Sequence, residues 1–276
     1  MAADARRRAT DPRRRAVDAR RRAARHPPTL DGVDAPRTFA ADYRVRFDEA
    51  GPDGCLRSSG FLRYVQDLAW RHSEAAGFDR GWYLQRGLQW LVRGVEVRLD
   101  EAVRFGETVT LSTRVIGSRR VWARRRSEVF LPGRDTPMAS AIIDWVLVDD
   151  AGRPTRVPDE IVAYFEGDAV PVEPARVELA ETPTDAVRHL SRVLPRDLDP
   201  MAHVNNATYL DYLEEALTVA SGADPAERYP RGYQLVFLRS AQPDAQTDAA
   251  CWPADGAWAC RILDGDGTEL MRGRAW

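Results

Sequence analysis

The chain alternates between two periods. "FAADYRVRF" (39–47) switches apolar and polar residues one by one, the signature of a half-buried strand. In "SSGFLRYVQDLAWRHSEAAG" (58–77) the period lengthens. Phe61, Leu62, Val65, Leu68 and Ala69 recur at helical spacing, Ser58 or Ser59 is the expected N-cap, and Gly77 the stop. Four long β-like runs follow: "LQWLVRGVEVRLD", "ETVTLSTRVIGS", "VWARRRSEVFL" and "MASAIIDWVLVDD". Turn signals such as "PGRDTP" and "DDAGRP" divide them. One long helix beside long antiparallel strands predicts an α+β unit, a sheet wrapped on a helix.

Residues 166–186, rich in Pro, Ala and acids, read as a linker. The same order then recurs: strand "RHLSRVLPRD", helix "NNATYLDYLEEALTVA", strand "GYQLVFLRS", then hairpins through "WPADGAW" and "LDGDGTEL". At an offset of 148, Pro52 matches Pro200, Phe61 matches Tyr209, Leu62 matches Leu210, and Tyr64 matches Tyr212. At 145, "RGLQWLV" matches "RGYQLVF". A repeat this long is a domain duplication. The expected layout is a disordered tail at 1–36, domains at 37–165 and 187–276, and the linker between.

Charge refines this picture. The 276-residue chain is net −2, yet residues 1–29 hold ten Arg against three Asp. That leaves 30 Arg and 39 acids, a net of −9, on the remainder. An acidic body disfavours general nucleic-acid binding. The three tail heptads, "DARRRAT DPRRRAV DARRRAA", lack the two apolar seam positions of a coiled coil. They read as disordered, or as an electrostatic arm for an acidic partner. No apolar run approaches bilayer length, and no hydrophobic secretory segment begins the sequence; the expectation is a cytoplasmic protein without a membrane partner. Cys55, Cys251 and Cys260 have no metal spacing and four His are scattered, so no metal site is expected. A Cys251–Cys260 disulfide is disfavoured in a reducing compartment.

Candidate chemistry gathers in "DLDPMAHVNN" (197–206). Asp199 and His203 precede a helix that starts near Asn205 or Asn206, where unpaired N–H groups and the helix dipole favour a negative oxygen. A carboxylate, an imidazole and free N–H donors suit attack on a carbonyl. The plainer readings are a carboxylate satisfying its own turn, a packing histidine, capping asparagines, and Glu214 and Glu215 as helix-face charges. The duplication weighs against them for the corner. Asp199, His203, Asn205 and Asn206 fall opposite Gly51, Cys55, Arg57 and Ser58, so packing positions repeat while polar ones do not.

"DLDPMAHVNNATYLDYLEEA" resembles the DxDxxxHVNNxxY signature of hotdog-fold thioesterases, and about 39–276 resembles the acyl-ACP thioesterases, which are double hotdogs. The resemblance implies a tandem hotdog fold and hydrolysis of fatty acyl-ACP thioesters to free fatty acid without cofactor. Asp199 and His203 then stand at the family's catalytic positions. Two departures are visible: Met201 replaces the Asn that plant members carry before the His, and Ser240 stands near their downstream Glu. The acyl chain is expected between helix and sheet of the first half, with Phe61, Val65, Trp70 and Trp90 as candidate liners. Arg119, Arg120, Arg124 and Arg126, with Arg125 among them, form a candidate patch for the acidic carrier protein. Alternatives are an acyl-CoA thioesterase of the same fold and a non-catalytic acyl-thioester-binding protein; a homodimer stays open.

Overall fold

The alternating runs become ten strands among the described residues, and every pairing between them is antiparallel. The first half supplies β1 (Thr38–Arg44), β2 (Leu88–Leu99), β3 (Thr108–Arg119), β4 (Trp122–Phe130) and β5 (Ala139–Asp149). The second supplies β6 (Val187–Arg192), β7 (Arg231–Phe237), β8 (Gln246–Ala254), β9 (Ala257–Asp264) and β10 (Glu269–Ala275). The computed structural model describes residues 38–165, 173–225 and 228–276. The Arg-rich segment 1–36 and linker residues 166–172 lie outside the described residues.

The sheet order is β1-β3-β4-β5-β2-β7-β10-β9-β8-β6. Read from its own edge, the second half (6-8-9-10-7) repeats the topology of the first (1-3-4-5-2). β2 and β7 join the halves from Gly94↔Val236 to Leu99↔Arg231. Each half packs its sheet on one long helix, α1 (Ser58–Ala75) or α4 (Asn206–Ser221). The architecture is a tandem hotdog of class α+β. Two short helices, α2 (Arg80–Gln85) and α3 (Asp159–Phe165), belong to the first half alone; the hydrophobic periods had not announced them.

Local bonds repeat at the offset read from the sequence. Tyr64 donates its hydroxyl to Glu49, as Tyr212 does to Asp197. Arg57 N–H donates to Glu49 O, as Asn205 N–H does to Asp197 O. The bridges Ala50↔Leu56 and Leu198↔Val204 also correspond. Where the helices cross, Arg63 donates to Asp211 at 2.9 Å, a pair 148 residues apart. Equivalent positions thus meet each other, as at a twofold axis. Phe61, Leu62, Val65 and Leu68 of α1 and Leu210 and Leu213 of α4 are wholly buried in one core that runs through both halves. Each such side chain contributes about 1.5–3 kcal/mol by burial.

Two expectations need correction. Ser58 does not cap α1; the N-cap is Arg57, without a side-chain cap bond, and Ser58 Oγ donates to Glu214 at 2.7 Å. Glu214 is therefore no solvated helix-face charge, although Glu215 is exposed. The described part of the linker is tied to both halves. Ala175 N–H donates to Asp144 (2.7 Å), Glu173 O accepts from Arg124, and Arg261 donates to Thr182 and Leu179. It straps β4 and β5 of one half to β9 of the other. The strap runs so close that a Cβ at Gly94 would stand 3.1 Å from the Ala175 Cβ. Cys251 and Cys260 face each other in register on β8 and β9 as free thiols.

Candidate active site

Residues 198–205 form a tight, internally bonded loop. Asp199 N–H donates to His203 O (2.8 Å) and Ala202 N–H to Asp199 O (2.9 Å). The Asp199 carboxylate ties the same loop: Oδ1 accepts from Met201 N (2.8 Å) and His203 N (3.1 Å). The plainer reading of Asp199, a turn carboxylate, is thus true of Oδ1. Oδ2 bonds to no described residue. Ala202 adopts φ 60°, in the left-handed region that disfavours a Cβ.

The loop delivers the chain into α4. Asn205 is the N-cap, its Oδ1 accepting from Ala207 N at 2.9 Å, and its carbonyl accepts from Thr208 N at 2.8 Å. These bonds satisfy two of the orphan N–H groups. The N–H of Asn206, the first helical residue, has no acceptor among the described residues. It sits at the positive end of a 16-residue helix. Gly222 at φ 71° closes the other end.

Asp199, His203, Asn205 and Asn206 all line one cavity of about 990 Å³. Tyr209, Ser240 and Arg239 border it from the second half, and Trp70, Trp90, Val115 and Trp145 from the first. The corner therefore opens across the seam onto the apolar space beneath the first helix. Tyr209 Oη accepts from Ala241 N (2.7 Å), and burial pushes its pKa up. Half-burial lowers the pKa of Arg93, which holds the carbonyls of Phe237 and Leu238. The described residues hold no group of three His, Cys, Asp or Glu that could bind a metal ion. No helix among them is long and apolar enough to cross a membrane.

Residues 36–165 match the family model of the acyl-ACP thioesterase N-terminal domain. This first part of the chain is similar to the acyl-ACP thioesterases. The chain is 28% identical over 202 residues to the chloroplastic palmitoyl-acyl carrier protein thioesterase of Arabidopsis thaliana, covering 66% of this chain and 47% of that one. The chain thus spans about half the length of the curated relatives it matches. Two solved structures share the fold. The 12:0-ACP thioesterase from Umbellularia californica superposes with a TM-score of 0.70 at 21% identity, covering 88% of this chain and 98% of that one. An acyl-ACP thioesterase from Bacteroides thetaiotaomicron gives 0.72 at 14%, covering 87% and 97%.

Against the family pattern, the two departures occupy distinct places. Met201, exposed on the loop, borders the same cavity and gives its backbone N–H to Asp199. Ser240 lines the cavity, its Oγ donating to Ala241 O at 3.3 Å. Of the four expected liners, Trp70 and Trp90 reach the cavity, with the Trp90 indole N–H on Tyr83 Oη at 3.0 Å. Phe61 and Val65 do not. They lie on the other side of α1, wholly buried in the shared core.

The arginine patch resolves into ion pairs. Arg119 pairs with Glu173 (2.5 Å), Arg126 with Glu128 (3.0 Å), and Arg124 grips Asp144 through two bonds of 2.6 and 2.8 Å. Arg120, in the β3–β4 turn, is the one of the four without a carboxylate partner among the described residues. Arg125 points the other way, into the protein, where it lines the cavity. Period two could have shown this: counting back from Val129 by twos places Ser127 and Arg125 on the inner face.

Proposed function

We propose that this protein hydrolyses fatty acyl thioesters of acyl carrier protein to free fatty acid, with Asp199 as the reacting carboxylate. One observation carries the reading. The loop carboxylate, the imidazole and the helix N-terminus all open into the same cavity, which Trp70, Trp90, Val115 and Trp145 line from the first half. The acyl chain lies beneath α1 between Trp70 and Trp90, and the thioester carbonyl meets the corner.

Two loop N–H groups hold Asp199 Oδ1, leaving Oδ2 to act. It either attacks the carbonyl carbon or takes the proton from an attacking water. In both cases a C–O bond forms, the C–S bond breaks, and the leaving sulfur takes a proton to depart as the carrier thiol; direct attack leaves a mixed anhydride on Asp199, which water then cleaves to the free acid and the carboxylate. The Asn206 N–H and the helix dipole stabilise the oxyanion, a donor of this kind being worth roughly 10²–10³ in rate. His203, at the edge of the same loop, orients the water and balances the charge at Asp199. Water is the only co-reactant.

A CoA carrier is the second reading. It is favoured by the ion pairs that occupy Arg119, Arg124 and Arg126, the patch expected to meet the carrier protein. The experiment is kcat/KM for one acyl chain on both carriers, over a series of chain lengths. Turnover on the carrier protein that exceeds turnover on CoA supports the first reading, and the reverse supports the second. Binding of both thioesters without turnover overturns hydrolysis and leaves an acyl-thioester-binding protein.

A further inference from the structure

The cavity has a second polar end that hydrolysis does not use. Arg125 lies on β4, three strands from β7, and so roughly 14 Å across the sheet from the strand that borders the corner, at ~4.8 Å per strand. It is only 8% exposed, and the cavity is what it faces. One nitrogen, Nη1, donates to His72 Nδ1 (2.8 Å) and, at 3.4 Å, to Thr113 Oγ1. Since guanidinium only donates, His72 accepts at Nδ1 and is neutral. Phe165 stands beneath the guanidinium, 5.6 Å from ring centre to Cζ. Among the described residues no carboxylate is bonded or ion-paired to Arg125. Its neighbour Arg124, facing outward, has Asp144.

The surroundings of the guanidinium add a further donor. Trp145, opposite Ala123 on the paired strand, also lines the cavity, and its indole N–H is buried without a partner. The nearby hydroxyls of Ser73 and Tyr83 bond each other, and Tyr83 also takes the Trp90 N–H. Burial pulls the Arg125 pKa down to about 10, so it remains a cation at neutral pH. A buried cation facing an apolar cavity is strongly unfavourable unless something there accepts from it. A methyl-ended acyl chain offers nothing.

We propose that the acyl group carries a carboxylate at the end away from the thioester, so that the substrate is a monothioester of an α,ω-dicarboxylic acid bound through Arg125. This rests on the thioesterase reading and adds the substrate class. The distal carboxylate accepts from the free guanidinium N–H groups in a charge-assisted bond and from the Trp145 indole, while the chain between fills the apolar stretch.

The test compares thioesters of dicarboxylic and monocarboxylic acids, matched in carbon number over a length series, on both carriers. The wild type is expected to favour the carboxyl-ended substrate by about tenfold or more in kcat/KM at its best length. Arg125→Met is expected to reverse the preference. Wild-type preference for the methyl-ended chain, or a ratio that Arg125→Met leaves unchanged, overturns the proposal. If Arg125→Met fails to fold, the wild-type ratio and Trp145→Phe, which removes the second donor and should lower that ratio, still decide. If no thioester is turned over, the functional reading fails separately. Thermal shifts with the free acids then decide: a larger shift from the dicarboxylic acid, lost in Arg125→Met, supports the anion site, and equal shifts overturn it.

Discussion

At residues 49–58 and 197–206 the chain makes the same corner twice. Each has a 3-10 turn, a bridge across the loop, a tyrosine hydroxyl on an acid of that turn and a long helix that follows. The first corner is closed. Ser58 and Ser59 are wholly buried, and Ser58 is held by Glu214 and by Arg231 (3.1 Å), with Tyr233 also donating to Glu214 (2.5 Å). The second opens into the cavity. The carboxylates differ too. Asp53 accepts from Cys55 N, whereas Asp199, two positions earlier in the repeat, accepts from two loop N–H groups. Even the turn residue differs: Gly54 at φ 74° against Ala202 at φ 60°. Backbone bonds specify the corner, and a few side chains decide whether it is sealed or reactive.

The contrast can be broken from either side. Glu214→Ala should act on the closed corner by stability, leaving Arg231 buried beside an emptied site. The expected cost is about 3 kcal/mol or more, read as a fall in denaturation midpoint. Activity per folded molecule should stay near normal. Asp199→Asn should do the reverse, lowering turnover by on the order of 10²-fold or more at an unchanged Tm. Near-normal turnover would remove Asp199 from the chemistry. Ala202→Gly should relieve the left-handed strain and raise stability by about 1 kcal/mol. A fall in stability would show that the loop does not carry that strain.

The smallest effect is on pH. Burial raises the Glu214 pKa above its ordinary value of 4.5. The folded state then keeps this proton where the unfolded chain has lost it. Glu214 therefore costs nothing below its unfolded pKa, and stability falls as pH rises through the folded value. Glu214→Gln should flatten that part of the curve in denaturant titrations from acid to neutral pH. An unchanged slope would mean that Glu214 is ionised throughout.

Much of this was legible in the sequence because it is local. The strands, the two long helices and the 148-residue offset follow from period and spacing, and so does the concentration of polar groups at 199–206. What was not legible depends on approach from elsewhere. Glu214 sits on an ordinary helical position and is enclosed only because β7 and the start of α1 close over it. Phe61 and Trp70 both lie on α1, but only the sheet's curvature decides which side faces core and which cavity. α3 was signalled by Pro158 followed by Asp159 and Glu160, a usual helix start, yet seven residues carry too little period to stand out. The linker's composition gives no sign that Asp144, Arg124 and Arg261 bind its backbone and side chains.

The β2–β7 seam bears on solubility. A half-molecule would present one of these strands as a raw edge, and β7 carries Tyr233, Leu235, Val236 and Phe237, all buried in the whole protein. Such an edge invites pairing with stray chains. Fusion lets each sticky edge cover the other and leaves β1 and β6 outermost, where Asp42, Arg44, Arg188 and Arg192 make further growth of the sheet unfavourable.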